Sequence, residues 1–172
     1  MQRFFTFLFA AAFALALPLQ AQNPLSQEAQ AAWTRTSGNL MAAAEKMPAD
    51  KYGFKPAPES QSFGELIAHT ASSAMRTCSA LTGEGKQSSA DAAAGKDALV
   101  AALGAGLAEC DAANKALTDA TATDMIEGRR GARSRLGTLY GNTIHLEHEY
   151  AQMAVHFRLN GLVPPSSDRS GR

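Results

Sequence analysis

The chain has 172 residues, with 16 lysines and arginines against 16 aspartates and glutamates, so its formal net charge at pH 7 is zero. This balance excludes a strongly basic surface of the kind that binds nucleic acid or an anionic membrane. The length suits one domain with a sizeable core and is short for two.

The first 21 residues have the pattern of a cleaved secretory signal. MQRFF supplies one positive charge, an apolar run follows, and the small residue Ala21 stands at the expected cleavage point. We expect a signal peptide at 1–21 and one domain at 22–172, located outside the cytoplasm (periplasmic or secreted) and not bound to a membrane. The alternative, an uncleaved anchor, is disfavoured because no Lys/Arg cluster follows the apolar run.

The rest of the chain is predicted to be helical, because alanine and leucine recur at three- and four-residue steps and no alternating run indicates a strand. The first helix is expected from about Ser26 to Met47, before Pro48. A loop with three prolines follows, from which Tyr52 and Phe54 can pack back onto the helices.

The second predicted helix begins at SFGE, where Ser62 and Glu65 form a capping box, and it closes at Thr82-Gly83. Residues 83–95, GEGKQSSADAAAG, indicate a flexible connection with at most a stray helical turn. The apolar face of a third helix follows, and its members are Leu99, Leu103, Leu107, Cys110 and Leu117.

The fourth helix is predicted from about Ala132 to Asn160, with Gly161 as a left-handed cap. Its apolar side consists of Leu136, Leu139, Thr143, Leu146, Tyr150, Met153 and Phe157. Four amphipathic helices predict an all-α fold, an antiparallel four-helix bundle. The basic segment GRRGARSR, from Gly128 to Arg135, is better explained as a solvated loop or helix start than as a phosphate site.

The fourth helix also carries three of the four histidines, in HLEHEYAQMAVHFRLNG from His145 to Gly161. A helical wheel predicts a polar stripe beside the core, not in it, centred about 130° from the apolar arc. The stripe consists of His145, Glu149, Gln152 and His156. His148 and Glu147 point elsewhere.

His69 lies at the same angular offset from the apolar arc of the second helix. Two imidazoles and a carboxylate at the edges of two packed helices suit a divalent first-row metal with open positions. A solvated polar seam is the alternative interpretation.

Two segments together resemble the DinB family of small four-helix proteins, in its secreted bacterial branch. They are DKYGFKPAPESQSFGELIAH, residues 50–69, and FRLNGLVPPSS, residues 157–167. The resemblance covers nearly the whole mature chain. It implies a bundle with a shallow three-histidine site that often holds nickel or zinc, and some relatives are thiol-dependent transferases or isomerases.

The resemblance assigns the family's ligand positions to His69, His145 and Glu149. The motif SFGELIAH ends at His69, and the family's H-x-x-x-H begins at His145 but meets Glu149 at its second histidine. The expected cofactor is a divalent metal, zinc or nickel, with Gln152 orienting a ligand. The carboxylate adds a negative charge, so either an altered metal preference or a lost metal stays open.

Two classes of function remain after this assignment. One is an enzyme whose metal lowers the pKa of a thiol or water. The other is a non-catalytic bundle that binds a ligand, an unidentified small molecule or a partner, in the same cleft. An acid-base group beside the metal would favour the enzyme, and Tyr52, Tyr140 and Tyr150 are the candidates.

A disulfide between Cys78 and Cys110 is also left open. An oxidising compartment and the family's secreted branch favour it. In a simple hairpin, however, the two cysteines would lie about 15 Å apart along the helix axes. A long connection that climbs before the third helix begins would remove the conflict, and two buried thiols are the alternative.

Overall fold

The computed structural model describes residues 23–88, 90–128 and 131–169, and four helices form the body of the fold. The helices are α1 Pro24–Lys46, α2 Phe63–Leu81, α3 Lys96–Lys115 and α4 Arg135–Leu159. The prediction of an all-α four-helix bundle is confirmed. The predicted signal at 1–21 lies outside the described residues. None of the helices in the described part combines the length and apolar character that a bilayer span requires.

A short antiparallel ribbon joins α3 to α4. Its strands are β1, Met125–Ile126, and β2, Arg133–Ser134. Short 3-10 turns also occur at Ala49–Lys51 and Pro165–Ser167. The expectation of no strand was wrong for this ribbon, because two-residue strands are too short to show an alternating pattern.

Local capping chemistry sets the helix ends. The capping box of α2 is present: Ser62 Oγ accepts from the Glu65 amide at 3.2 Å, and the Glu65 carboxylate accepts from the Ser62 amide at 2.6 Å. Ser134 caps α4 by accepting from the Gly137 amide at 3.0 Å, so this helix begins at Arg135 instead of near residue 132. Gly161, with a φ of 72°, ends α4 in the predicted left-handed conformation.

The helices do not simply alternate in direction. Contacts between α2 and α3 advance together along both chains, since Gly64 lies beside Leu99 and Gly106 lies beside Ala71. These two helices are therefore parallel, unlike successive helices in the antiparallel arrangement that the sequence predicted. Contacts between α2 and α4 run in opposite senses, because Phe63 packs on Phe157 while His69 meets His145. Those two are antiparallel.

The same kind of contact orients α1. Its Trp33 indole donates to Asp111 of α3 at 2.6 Å, and Lys96 at the start of α3 donates to the carbonyl of Glu45, so α1 and α3 are antiparallel. Helix α4 is then parallel to α1, and the Thr36 hydroxyl donates to Glu147 of α4 at 2.7 Å. The directions of the four helices are up, down, down and up.

The connection between α2 and α3 explains this order. It climbs back along α2, so that the Ala92 carbonyl and Leu99 lie beside Gly64 at the start of α2. Cys110 consequently lies opposite Cys78, and the two form a disulfide with a Cα–Cα distance of 4.9 Å. Of the two alternatives for these cysteines, the structure has the bridge.

The core lies between the apolar faces predicted for the four helices. Its largest fully buried side chains include Trp33 of α1, Phe63 of α2, Leu103 of α3 and Phe157 of α4. Tyr52 packs back from the proline-rich loop, as predicted, and is buried against Phe63. The core therefore holds the facing surfaces of α2 and α4, which carry the histidines, in a fixed relation.

Candidate metal centre

Three predicted ligands meet at the seam between α2 and α4. His69 projects from α2, and His145 and Glu149 project from successive turns of α4. Their ligand atoms all lie within 4.8 Å of one another. The antiparallel packing of α2 on α4 thus brings together residues that are 76 positions apart in the sequence.

The distances suit a common metal ion. His69 Nε2 lies 3.3 Å from His145 Nε2, and Glu149 Oε1 lies 3.7 Å from both His69 Nε2 and His145 Nδ1. Zinc bonds of about 2.0 to 2.2 Å in a tetrahedron would place neighbouring ligand atoms about 3.4 Å apart. His145 can offer only one of its two nitrogens to an ion, and with one ligand atom from each residue the three donors lie within 4.8 Å of one another, so these residues fit a divalent metal.

Glu149 is held in place by Gln152, as predicted. The Gln152 amide donates to Glu149 Oε2 at 3.0 Å, which leaves Oε1 directed at the histidines. This arrangement fixes which carboxylate oxygen faces the site. A hydrogen bond of this kind orients a ligand before the metal arrives.

The polar stripe of α4 is more buried than predicted. Glu149 is 4% exposed and His156 is 2% exposed, so the expectation that the stripe lies beside the core was wrong for both. The physical reason is that α2 and the proline-rich loop cover this side of α4. His156 accordingly contacts the rings of Phe54 and Phe63 and does not join the ligand group.

Burial lowers the pKa of His145 below its ordinary value. The Glu149 carboxylate opposes that shift, while the charges of His69, His148 and Arg76 reinforce it. This shift favours the neutral imidazole of His145. Neutral imidazole is the form that binds a metal ion.

A cleft of about 770 Å³ opens beside the two histidines. One wall is α2, with Ser73, Arg76 and Thr77, and the other is formed by α4 and the β1–β2 ribbon, with Ile126 and Arg133. Sequence reasoning missed Arg133 as a cleft residue. The GRRGARSR segment was identified as basic, but nothing in its pattern predicts that the ribbon lies over α4.

The candidate acid-base tyrosines lie elsewhere. The Tyr52 hydroxyl donates to the carbonyl of Ala44 at 2.6 Å, and burial, followed by the charge of Asp97, raises the pKa of Tyr52 to about 12. Tyr150 accepts from the Ser166 amide at 2.8 Å, and Tyr140 is exposed on another face. The lining of the cleft, in the described part of the chain, contains no tyrosine and no cysteine.

Comparison with known proteins agrees with this architecture. The fold is similar to that of a conserved protein from Enterococcus faecalis, with a TM-score of 0.63 and 18% sequence identity, over 78% of this chain and 95% of that one. At this identity the likeness concerns the fold alone. No curated protein matches the chain. The family model of the DinB superfamily matches residues 32–153, a span that contains α2, α3 and all three ligand positions, and the chain therefore belongs to the DinB superfamily.

Proposed function

We propose that the protein holds a divalent first-row metal, zinc or nickel, at His69, His145 and Glu149 and uses it on a small molecule bound in the adjoining cleft. The single observation that supports this most strongly is the convergence of three donor side chains, of which His69 and His145 also line the cleft. The cleft volume of about 770 Å³ falls in the range of small-molecule sites.

Each side chain has a distinct role in this proposal. His69 and His145 supply nitrogen donors, and Glu149 supplies an oxygen donor that Gln152 orients. Among the described residues three protein donors converge, so a metal held there would keep a coordination position for water or a substrate. A metal held there supplies Lewis-acid chemistry, which polarises a substrate or lowers the pKa of a nucleophile. The described lining of the cleft contains no cysteine or tyrosine, so the chain itself supplies no thiol or phenol there, and the proposal takes water or a second substrate as the nucleophile.

The test is the metal content of purified mature protein. After loading with zinc or nickel and desalting, we expect about one metal per wild-type chain by elemental analysis, and a large loss in the His69→Ala/His145→Ala variant. His148→Ala is the matched control, because His148 is an exposed histidine three residues from His145 and outside the ligand group. Equal retention by the wild type and the double variant would refute the metal site.

The alternative proposal is a bundle that binds its ligand without a metal. It is supported by Glu149 at the position where the resemblance implies a histidine, and by the absence of an acid-base tyrosine from the described cleft. A Glu149→His variant separates the two. Metal retention by this variant together with none by the wild type would indicate a site that has lost its metal.

We also propose that the protein acts outside the cytoplasm. Its support is the signal-like N-terminal sequence and the disulfide between Cys78 and Cys110, a bond that persists in oxidising compartments. Export can be tested by N-terminal sequencing of protein recovered from the periplasm or medium, which should begin at Gln22. Recovery of chains that still begin at Met1, in the cytoplasmic fraction alone, would contradict export.

A further inference from the structure

Two arginines line the cleft without a carboxylate partner. Arg76 projects from α2 and Arg133 from β2. Among the described residues, neither forms a salt bridge with an aspartate or glutamate, and Arg133 donates instead to the carbonyl of Gly137 at 3.2 Å. Guanidinium groups that line a cleft and lack an acidic partner can pair with an anionic ligand.

Gly141 of α4 leaves room for the Arg133 side chain because it has no Cβ. The Arg133 guanidinium lies so close to Gly141 that a Cβ there would come within 3.2 Å of Nη2. Gly141 is one turn before His145, or about 6 Å along the helix axis. The charge of Arg133 is thereby held against α4, one turn from the candidate metal ligand.

Arg76 lies in the same direction from the histidines. It is seven residues after His69 on α2, about 10 Å along the axis, and α2 runs antiparallel to α4. Later residues of α2 therefore lie beside earlier residues of α4. Both arginines are found along the cleft, on one side of the ligand group.

The charges of the cleft favour an anion. Among the described residues, its charged lining residues apart from the histidines are Arg76, Arg133 and Glu127, which leaves one positive charge in excess. A divalent metal beside the single carboxylate of Glu149 would add a second. Guanidinium groups match carboxylate and phosphate oxygens in geometry as well as in charge.

We propose that the cleft binds an acidic small molecule whose carboxylate or phosphate group pairs with Arg76 and Arg133 while its other end reaches the metal at His69 and His145. This inference rests on the proposed metal function and names the substrate class for that same site. Along the helix axes, the histidines are offset by about 6 Å from Gly141, beside which Arg133 lies, and by about 10 Å from Arg76, and this offset gives the approximate length of the molecule.

Probes with a zinc-binding thiol at one end test this substrate class. Zinc-loaded mature protein is titrated by calorimetry with 6-mercaptohexanoate, 6-mercaptohexylphosphonate and the neutral 6-mercaptohexanol. We expect at least one acid to bind about tenfold more tightly than the alcohol. The tighter of the two acids identifies the preferred group.

The variants assign the preference to the arginines. In Arg76→Gln/Arg133→Gln we expect equal affinity for acid and alcohol, with zinc content unchanged. Arg158→Gln is the matched control, because Arg158 also donates to a carbonyl of α4, that of Ala154 at 3.3 Å, but does not line the cleft. Arg158→Gln should keep the preference of the wild type.

The outcomes separate the acidic ligand from the metal. Equal affinity of the zinc-loaded wild type for all three probes, or loss of the preference in the Arg158→Gln control, would overturn the acidic ligand while the metal site stands. If the wild type retains no zinc, the metal function fails, and hexanoate is then compared with hexanol on the metal-free protein. Binding of hexanoate that depends on Arg76 and Arg133 supports the anion subsite in that case, and equal binding overturns it.

Discussion

Helix α2 has two seams of opposite character. Toward α3 the packing is close: a Cβ added at Gly106 would lie 2.7 Å from the carbonyl oxygen of Ala71, and the Cys78–Cys110 disulfide joins the two helices covalently. Toward α4 the seam admits two polar, partly exposed histidines and borders a cleft of about 770 Å³. One side of the same helix is fixed and the other carries the candidate site.

The closed seam, between α2 and α3, supports the open seam, between α2 and α4. Asn142 of α4 places its Nδ2 atom 3.6 Å from Cys78 Sγ and 3.4 Å from Cys110 Sγ, so the disulfide contacts all three helices. Asn142 is three residues before His145 on α4. The level of α4 relative to α2, and with it the distance between the two histidines, therefore depends on packing that involves α3. Rigid packing beside a site can thus fix the positions of side chains that have few contacts of their own.

Of the changes that test the two seams, removal of the disulfide in the closed seam should have the largest effect on stability. The disulfide spans a sequence separation of 32 residues, and its removal in Cys78→Ala/Cys110→Ala should lower the free energy of unfolding by about 3 to 4 kcal/mol. Chemical denaturation measures the change. Wild-type protein unfolded under reducing conditions should approach the value of the variant. Equal stability of oxidised wild type and variant would show that the bridge does not stabilise the seam.

The next largest effect should come from widening the same seam by one methyl group. In Gly106→Ala the new Cβ meets a backbone carbonyl of α2, so the helices must separate, which should cost about 1 to 3 kcal/mol of stability. Gly104→Ala is the matched control, because nothing lies within 4 Å of a Cβ at that position. The control should gain up to about 1 kcal/mol from helix propensity. Denaturation curves that shift in the same direction for both variants would contradict the close packing.

Much of this fold can be read from local patterns in the sequence. The capping box at Ser62 and Glu65, the left-handed glycine at Gly161 and the apolar side of α4 each follow from chemistry within one helix. The directions of the helices cannot be predicted from such local patterns. The parallel packing of α2 on α3 depends on where residues 82–95 lie, and no periodicity within that polar segment specifies its path.

The candidate site likewise has some features that the sequence predicts and others that it does not. His145 and Glu149 share a helical face, His69 has the same angular offset on its own helix, and the resemblance assigns ligand positions to all three, so these three could be predicted. A helical wheel relates a residue only to the apolar arc of its own helix. It could not show that α2 and the loop bury Glu149 and His156. Arg133 was missed because a two-residue strand carries it to the cleft.

A smaller effect, on metal affinity and not on stability, is expected from a change in the open seam. Gln152→Ala removes the donor that fixes Glu149 Oε2, so metal affinity should fall about tenfold while the free energy of unfolding changes little. Competition with a coloured chelator measures the affinity, and His148→Ala serves as the control that keeps it. Unchanged affinity in Gln152→Ala would mean that Glu149 needs no orientation by its neighbour.

The smallest effect we expect is a pH dependence at the buried end of the open seam. His156 lies 5.8 Å, between ring centroids, from both Phe54 and Phe63, and its buried Nδ1 atom has no hydrogen-bond partner in the part of the chain that the structure describes. Burial lowers the pKa of His156, although a hydrogen bond with the Phe54 backbone opposes the shift. The folded chain therefore resists a proton that the unfolded chain accepts.

The sign of the pH effect follows from where each state takes up the proton. Above about pH 6.5, the ordinary pKa of histidine, both states are neutral at His156 and the residue adds no pH dependence. Below it, only the unfolded chain gains the proton, so the free energy of unfolding falls with pH until the folded pKa is reached. In His156→Phe this fall should be shallower. Urea unfolding of both metal-free proteins between pH 7.5 and 5 tests it, because His145 is present in both and its contribution cancels. Parallel curves for the two proteins would contradict the lowered pKa of His156.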